Sequence, residues 1–166
     1  MYDDVITLKN FYQTPLGRHL ANQMRPHVAE FWDTNEKSCN LALGYGAEWL
    51  KNEFGHRSKD MPPLVVLLML ARFGVMPWPE IGTVRSTLVD AHLLPLPDVY
   101  ADRLLLVHAL EFDSDPGRLL DECWRVLDGA GKLLVAVPNR RGLWARLEHT
   151  PIGHGRPYSN RQLCQL

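Results

Sequence analysis

The chain has 166 residues, 46% of them hydrophobic and 22% charged, a balance that suits one soluble domain with its own core. Its formal net charge of −1 gives no electrostatic reason to expect nucleic acid or a membrane surface as the partner. The longest apolar run, Leu64 to Ala71, is too short to cross a bilayer, and the acidic start "MYDDVITLKN" lacks a signal-peptide core, so the expectation is a cytoplasmic protein.

In chain order, the first clear element is "TPLGRHLANQMRPHVAEFW". Thr14 is a candidate N-cap, Pro15 suits the first helical position, and Leu16, Leu20, Met24, Val28 and Phe31 make a helical stripe. Pro26 removes a backbone donor inside that stripe, which predicts a kink or a break into two helices. Five apolar runs follow: Asn40 to Leu43, Leu64 to Leu70, Ser86 to Asp90, Arg103 to Leu110 and Lys132 to Pro138. They lack the alternation of a strand with one wet face, which predicts parallel strands covered on both sides. Between the last two lies "DPGRLLDECWRVLDG", a helix that Asp115 can cap and Gly129 can end, with Leu119, Leu120, Cys123, Val126 and Leu127 facing inward.

A helix between two buried parallel strands is a right-handed crossover unit, and repeated units give an open, doubly wound α/β sheet with helices on both faces. Ligands of such sheets bind beyond the carboxyl ends of the strands. The expected layout is one domain, 1–166, made of an N-terminal helical segment (1–37), a core (38–139) and a loop leading into a helix (140–166). That helix begins near Tyr158, and with a sheet edge left open the chain reads either as truncated at its C-terminus or as having something else on that edge.

Three features carry candidate chemistry. Gly44 and Gly46, with Tyr45 between them, sit where the first strand turns into the helix "AEWLKNEF", a place where glycine lets a backbone approach a ligand or simply makes a tight turn. A dinucleotide fingerprint would want a third glycine at Trp49 and an acid at the end of the second strand, where Met69, Leu70 and Ala71 stand, so a nicotinamide oxidoreductase is disfavoured. From Asn139 to Arg161 five arginines face one acid, which reads as an anion-binding surface or as a solvated basic face. The three cysteines, Cys39, Cys123 and Cys164, have neither a disulfide pattern nor a metal-ligand spacing, so reduced thiols and no metal are expected.

The joint pattern of Asp90, "LPLPD" (Leu94 to Asp98), Asp102, Leu110 with Glu111, "WRVL" (Trp124 to Leu127), Gly129 and Gly131 resembles the class I S-adenosylmethionine-dependent methyltransferases of type 11. The tail "PNRRGLWARLEHTPIGHGRPYS" is similar to an alphaproteobacterial branch of that family. The resemblance implies a Rossmann-like fold with its C-terminal strands missing and S-adenosyl-L-methionine as cofactor. It places Gly44, Tyr45 and Gly46 in the glycine loop, Asp90 and Ala91 at the adenine, and His108 near the sulfonium. Three departures stand out: Ala42 and Met69 replace the family's acids, and Glu48 replaces its third glycine.

Methyl transfer from a sulfonium needs alignment more than covalent help. The catalytic residue is left unknown: His108 reads as cofactor-lining, as buried structure or as a base, with His154 and Tyr158 as further bases by type. Asn139, Arg140, His154, Arg156 and Tyr158 are the substrate-side candidates. Trp78, Trp124 and Trp144 read as packing residues. The function expected is methylation of a small-molecule acceptor; the alternative is a degenerate methyltransferase fold that only binds.

Overall fold

The computed structural model describes residues 4–32, 35, 37–54, 65–80, 82–142 and 150–166. Five strands form one parallel sheet in the order β3-β2-β1-β4-β5: β1 (Asn40–Gly44), β2 (Val65–Leu70), β3 (Ser86–Val89), β4 (Ala101–Val107) and β5 (Leu127–Ala136). The order reverses between β1 and β4, so the carboxyl ends of these two strands open the crevice in which doubly wound sheets bind ligands.

Two layers close on the sheet because successive strand residues face opposite sides. Ala42, Val65, Leu67, Met69, Leu105 and Val107 face a helical layer of α1 (Val5–Gln13), α2 (Pro15–Phe31) and α3 (Ala47–Phe54). Leu41, Leu43, Leu68, Leu70, Leu104 and Leu106 face α4 (Pro116–Val126) through Leu119, Cys123 and Val126. Burial pushes the Cys123 thiol up to about 12, so it behaves as an apolar side chain. Leu104, Leu105 and Leu106 have no exposed surface, and burial of one such side chain contributes about 1.5–3 kcal/mol.

Several expectations need correcting. α2 runs unbroken through Pro26, and its buried residues are Gly17, Ala21 and Val28, with Leu16 at the surface. Thr14 caps it as expected, accepting from Gly17 N–H. α4 stops at Val126 rather than Gly129, because Leu127 already pairs with Ala101 as the first residue of β5. β3 is not covered on both faces, since Thr87 and Leu88 are exposed at the sheet edge. Trp78 is buried, but Trp124 is 80% exposed on the outer face of α4; Trp144 lies outside the described residues. The last two helices, α5 (Pro151–His154) and α6 (Asn160–Leu163), are each one short turn, the second with a capping box from Ser159 and Gln162. No described helix is long and apolar enough to cross a membrane.

The "LPLPD" loop is tied to α4 by a single carboxylate and guanidinium. Glu122 accepts from Leu94 N–H at 2.7 Å and from Arg125, whose guanidinium also donates to the carbonyls of Leu94 and Leu96 and to Asp98. Asp102 accepts from Cys39 N–H and fixes the entry to β1. The loop therefore leaves Asp90 and Ala91 at a fixed place beyond the end of β3.

Candidate functional site

The carboxyl ends of β3, β2, β1 and β4 lie side by side, so Asp90 and His108 are separated by three strand spacings, roughly 14 Å. Between them is the turn Gly44–Tyr45–Gly46. Gly44 has φ +98°, and a Cβ there would lie 1.9 Å from the carbonyl oxygen of Val107, which accepts from Tyr45 N–H. The bare α-carbon thus lets β1 and β4 converge. A Cβ on Gly46 would meet only carbon side chains at 3.4 to 3.8 Å, ordinary contact. Residues 41–50 are all buried, and burial together with the nearby Glu48 holds the Tyr45 hydroxyl above its usual value.

Asp90 is exposed, and its Oδ1 accepts from His92 N–H at 2.8 Å. At the end of β2, Met69 points into the helical layer, and Leu70 into the other face. The first exposed residue there is Ala71, whose N–H donates to Val89 O beside Asp90. Arg72 follows, with its guanidinium over the rings of Phe73 and Phe112 and a hydrogen bond to Phe112 O. Glu48 is buried within the helical layer rather than open to the strand ends.

At the β4 end the backbone departs from strand geometry. His108 has φ +51°, a left-handed conformation that costs energy in any residue with a side chain. The twist brings the imidazole to Tyr12 and Trp49 of the helical layer, whereas strand alternation would send position 108 to the α4 side with Leu104 and Leu106. Trp49 Nε1–H donates to the Tyr12 oxygen at 2.9 Å, and Tyr12 lies 2.6 Å from His108 Nε2. His108 Nδ1 lies 3.1 Å from Glu111 Oε1.

The proton positions follow from that connectivity. Burial, reinforced by the charges of Glu111 and Glu48, holds the Tyr12 hydroxyl well above its ordinary value, so it is protonated. Its oxygen takes the Trp49 proton, and its own proton goes to His108 Nε2. Both imidazole nitrogens lie within hydrogen-bond distance of a partner, Tyr12 on one side and Glu111 on the other.

Trp49, His108 and Glu111 form the floor of a cleft of about 400 Å³. α2 supplies one wall with Leu20, Gln23, Met24 and His27; β5 and its extension to Asn139 supply another, and Ile152, Tyr158 and Leu163 close the third side. Of the five substrate-side candidates, Asn139 and Tyr158 line this cleft. They are joined to each other: Tyr158 N–H donates to Pro138 O and Arg140 N–H to Tyr158 O, so the tail runs beside the end of β5. Arg140, His154 and Arg156 are exposed and do not line the cleft; Arg156 lies over the Tyr158 ring. Arg141 and Arg161 border a separate recess. Gly155 of "GHGRPYS" serves packing, since a Cβ there would strike the Glu111 side chain at 2.5 Å.

Tyr12 and Glu111 had no place among the expected site residues. Glu111 was marked only as part of the Leu110–Glu111 pair in the family-like pattern, and its three-residue separation from His108 at a strand end was a further usable signal; Tyr12 had none.

Residues 69–135 match the type 11 methyltransferase family, described as a methyltransferase domain. Two Mycobacterium tuberculosis proteins (strains CDC 1551 and H37Rv), each described as a "probable S-adenosylmethionine-dependent methyltransferase", are 34% identical over 86 residues, which is 52% of this chain and 29% of theirs. The match therefore spans under a third of those relatives. In structure, an S-adenosylmethionine-dependent methyltransferase from Thermotoga maritima, described as a possible histamine N-methyltransferase, superposes with a TM-score of 0.67 at 19% identity over 97% of this chain and 74% of its own. One from Archaeoglobus fulgidus gives 0.61 at 18% identity, over 89% of this chain and 65% of its own. The sequence match and the shared fold agree: residues 69–135 match the type 11 methyltransferase family, and the chain has the Rossmann-like fold seen in S-adenosylmethionine-dependent methyltransferases.

Proposed function

We propose that this chain is one domain that methylates a small-molecule acceptor, using S-adenosylmethionine in the reducing cytoplasm. The observation that carries the reading is the position of the cleft: its floor, His108 and Glu111, follows directly on β4, one strand from the glycine turn of β1.

The chain's own groups fit the cofactor at the adenine end. Asp90 is exposed at a strand end, and with Oδ1 held by His92 its other oxygen can accept from an amino group. The amides opening α3 beyond Gly46 favour a negatively charged group. The ribose position has no carboxylate, because Ala71 is the exposed residue at the end of β2. When bound, the cofactor supplies an electrophilic methyl group. The protein's share is positional: Asp90 fixes one end, the buried turn fixes the other, and the cleft walls exclude water from the acceptor. His108 and Glu111 hold a defined pattern of protons at the cleft floor.

Calorimetric titration of the full-length protein with S-adenosylmethionine, S-adenosylhomocysteine and NAD tests this. Micromolar binding of the first two and none of NAD is expected. A folded protein that binds neither would leave the binding-module alternative in its place.

A further inference from the structure

We infer that the cleft takes an acceptor with an apolar body and a protonated amine, whose ammonium group is seated on Glu111 Oε2. This rests on the reading of the cleft as the acceptor site.

The Glu111 side chain is 1% exposed, and only Oε1 is used by the protein. Oε2 has no hydrogen-bond partner among the described residues, although the residue lines the cleft. A buried carboxylate oxygen without a donor is costly, and the local structure prevents it from turning away. Gly155 presses its α-carbon against the Glu111 stem, Arg156 N–H donates to the Glu111 carbonyl at 2.6 Å, and His108 Nδ1 holds the other oxygen. His108 is itself held by Tyr12, and Tyr12 by Trp49. The carboxylate is thus fixed with one buried oxygen unpartnered, in a residue that lines a space large enough for a ligand.

The charge balance of the cleft selects the sign of that ligand. Among the described residues Glu111 is its one acidic lining residue, no lysine or arginine lines it, and its other titratable lining groups are His27, His108 and Tyr158. Its walls are largely apolar, with Leu20, Met24, Leu134, Ile152 and Leu163 around the Trp49 ring. An ammonium on an apolar frame satisfies the open oxygen and fills the walls; a carboxylate or phosphate would meet like charge in a low-dielectric pocket. Of the tail arginines that suggested an anionic acceptor, Arg140, Arg141, Arg156 and Arg161 lie outside it, and Arg146 lies outside the described residues.

Three probes of one shape test the inference by binding alone: 2-phenylethylamine, 2-phenylethanol and 3-phenylpropanoate, titrated into the full-length protein at neutral pH with tryptophan fluorescence or calorimetry as readout. The amine is expected to bind about tenfold more tightly than the alcohol, and the carboxylate most weakly. Glu111→Gln is expected to lower amine affinity about tenfold and leave the alcohol unchanged. Equal affinity of amine and alcohol, binding of none of the three, or an unchanged amine affinity in a folded Glu111→Gln variant overturns the inference. If that variant does not fold, the ranking on the wild-type protein decides. A repeat with saturating S-adenosylhomocysteine separates two sources of the cation: retained amine binding supports the acceptor, and loss by competition overturns the inference by assigning Oε2 to the cofactor's own ammonium. Failure of S-adenosylhomocysteine to bind counts against the methyltransferase reading, while the amine ranking still stands or falls alone.

Discussion

Tyr12 and His108 are 96 residues apart in the chain and joined by a 2.6 Å hydrogen bond beneath the cleft. That bond links the N-terminal helical layer to the carboxyl end of β4, and the Tyr12 oxygen also receives the Trp49 indole proton. Tyr12→Phe keeps the ring and removes both partners at once. It leaves a buried indole N–H and an imidazole nitrogen unsatisfied, which costs about 1–3 kcal/mol. Urea denaturation should show a lower midpoint with an unchanged slope. A loss under about 0.5 kcal/mol would mean that the network contributes little to folding.

The two glycines of the turn make a contrasting pair. Gly44→Ala places a Cβ 1.9 Å from Val107 O at φ +98°, so it combines left-handed strain with a backbone overlap and should cost about 3 kcal/mol or more. Gly46→Ala adds contacts of 3.4 to 3.8 Å and should change stability by less than about 1 kcal/mol. Thermal unfolding of the two variants side by side measures the difference. Equal Tm values would refute the assignment of Gly44 as the residue that lets β1 and β4 converge.

Cofactor affinity is predicted to respond at two adjacent strand ends. Asp90→Ala removes one hydrogen bond to a polar ligand group and should weaken S-adenosylhomocysteine binding about tenfold. Ala71→Asp adds a carboxylate at the exposed end of β2, next to Val89 and Asp90, and should tighten it by a similar factor. Titration calorimetry reads both. An Asp90→Ala variant with wild-type affinity would reduce Asp90 to a turn residue bonded to His92.

The sheet was legible in the sequence because each strand holds a short apolar run; in β1, β2 and β4, burial on both faces leaves no alternation to misread. The boundary between α4 and β5 was not legible. Gly129 and Gly131 look like a helix stop, but Leu127 pairs with Ala101, and that pairing outweighs the local glycine signal. Trp124 looked like core by residue type, whereas the helical period puts it opposite Leu119, Cys123 and Val126. The cleft floor was half visible. His108 could be placed at a strand end, but its φ of +51° reverses the side chain towards Tyr12, and neither a left-handed residue nor a contact across 96 positions has a local sequence pattern.

The Glu122–Arg125 clamp predicts how stability falls in acid. Arg125 donates to both Glu122 oxygens and Leu94 N–H to one, and these bonds, the Arg125 ones first, hold the Glu122 carboxyl below its ordinary 4.5 against the opposing effect of burial. A carboxyl whose folded value is depressed stabilises the fold above its unfolded value, and the contribution is lost as pH falls through the folded value. Glu122→Gln keeps an oxygen for Leu94 N–H but removes the charge. The stability gap between wild type and Glu122→Gln should therefore be constant above about pH 5 and close as pH drops below 4.5. Urea denaturation of both proteins at about pH 7, 4.5 and 3.5 measures the gap. A gap close to zero at neutral as well as acid pH would show that the bond to Leu94, which the variant keeps, and not the ionised carboxylate, holds the "LPLPD" loop against α4.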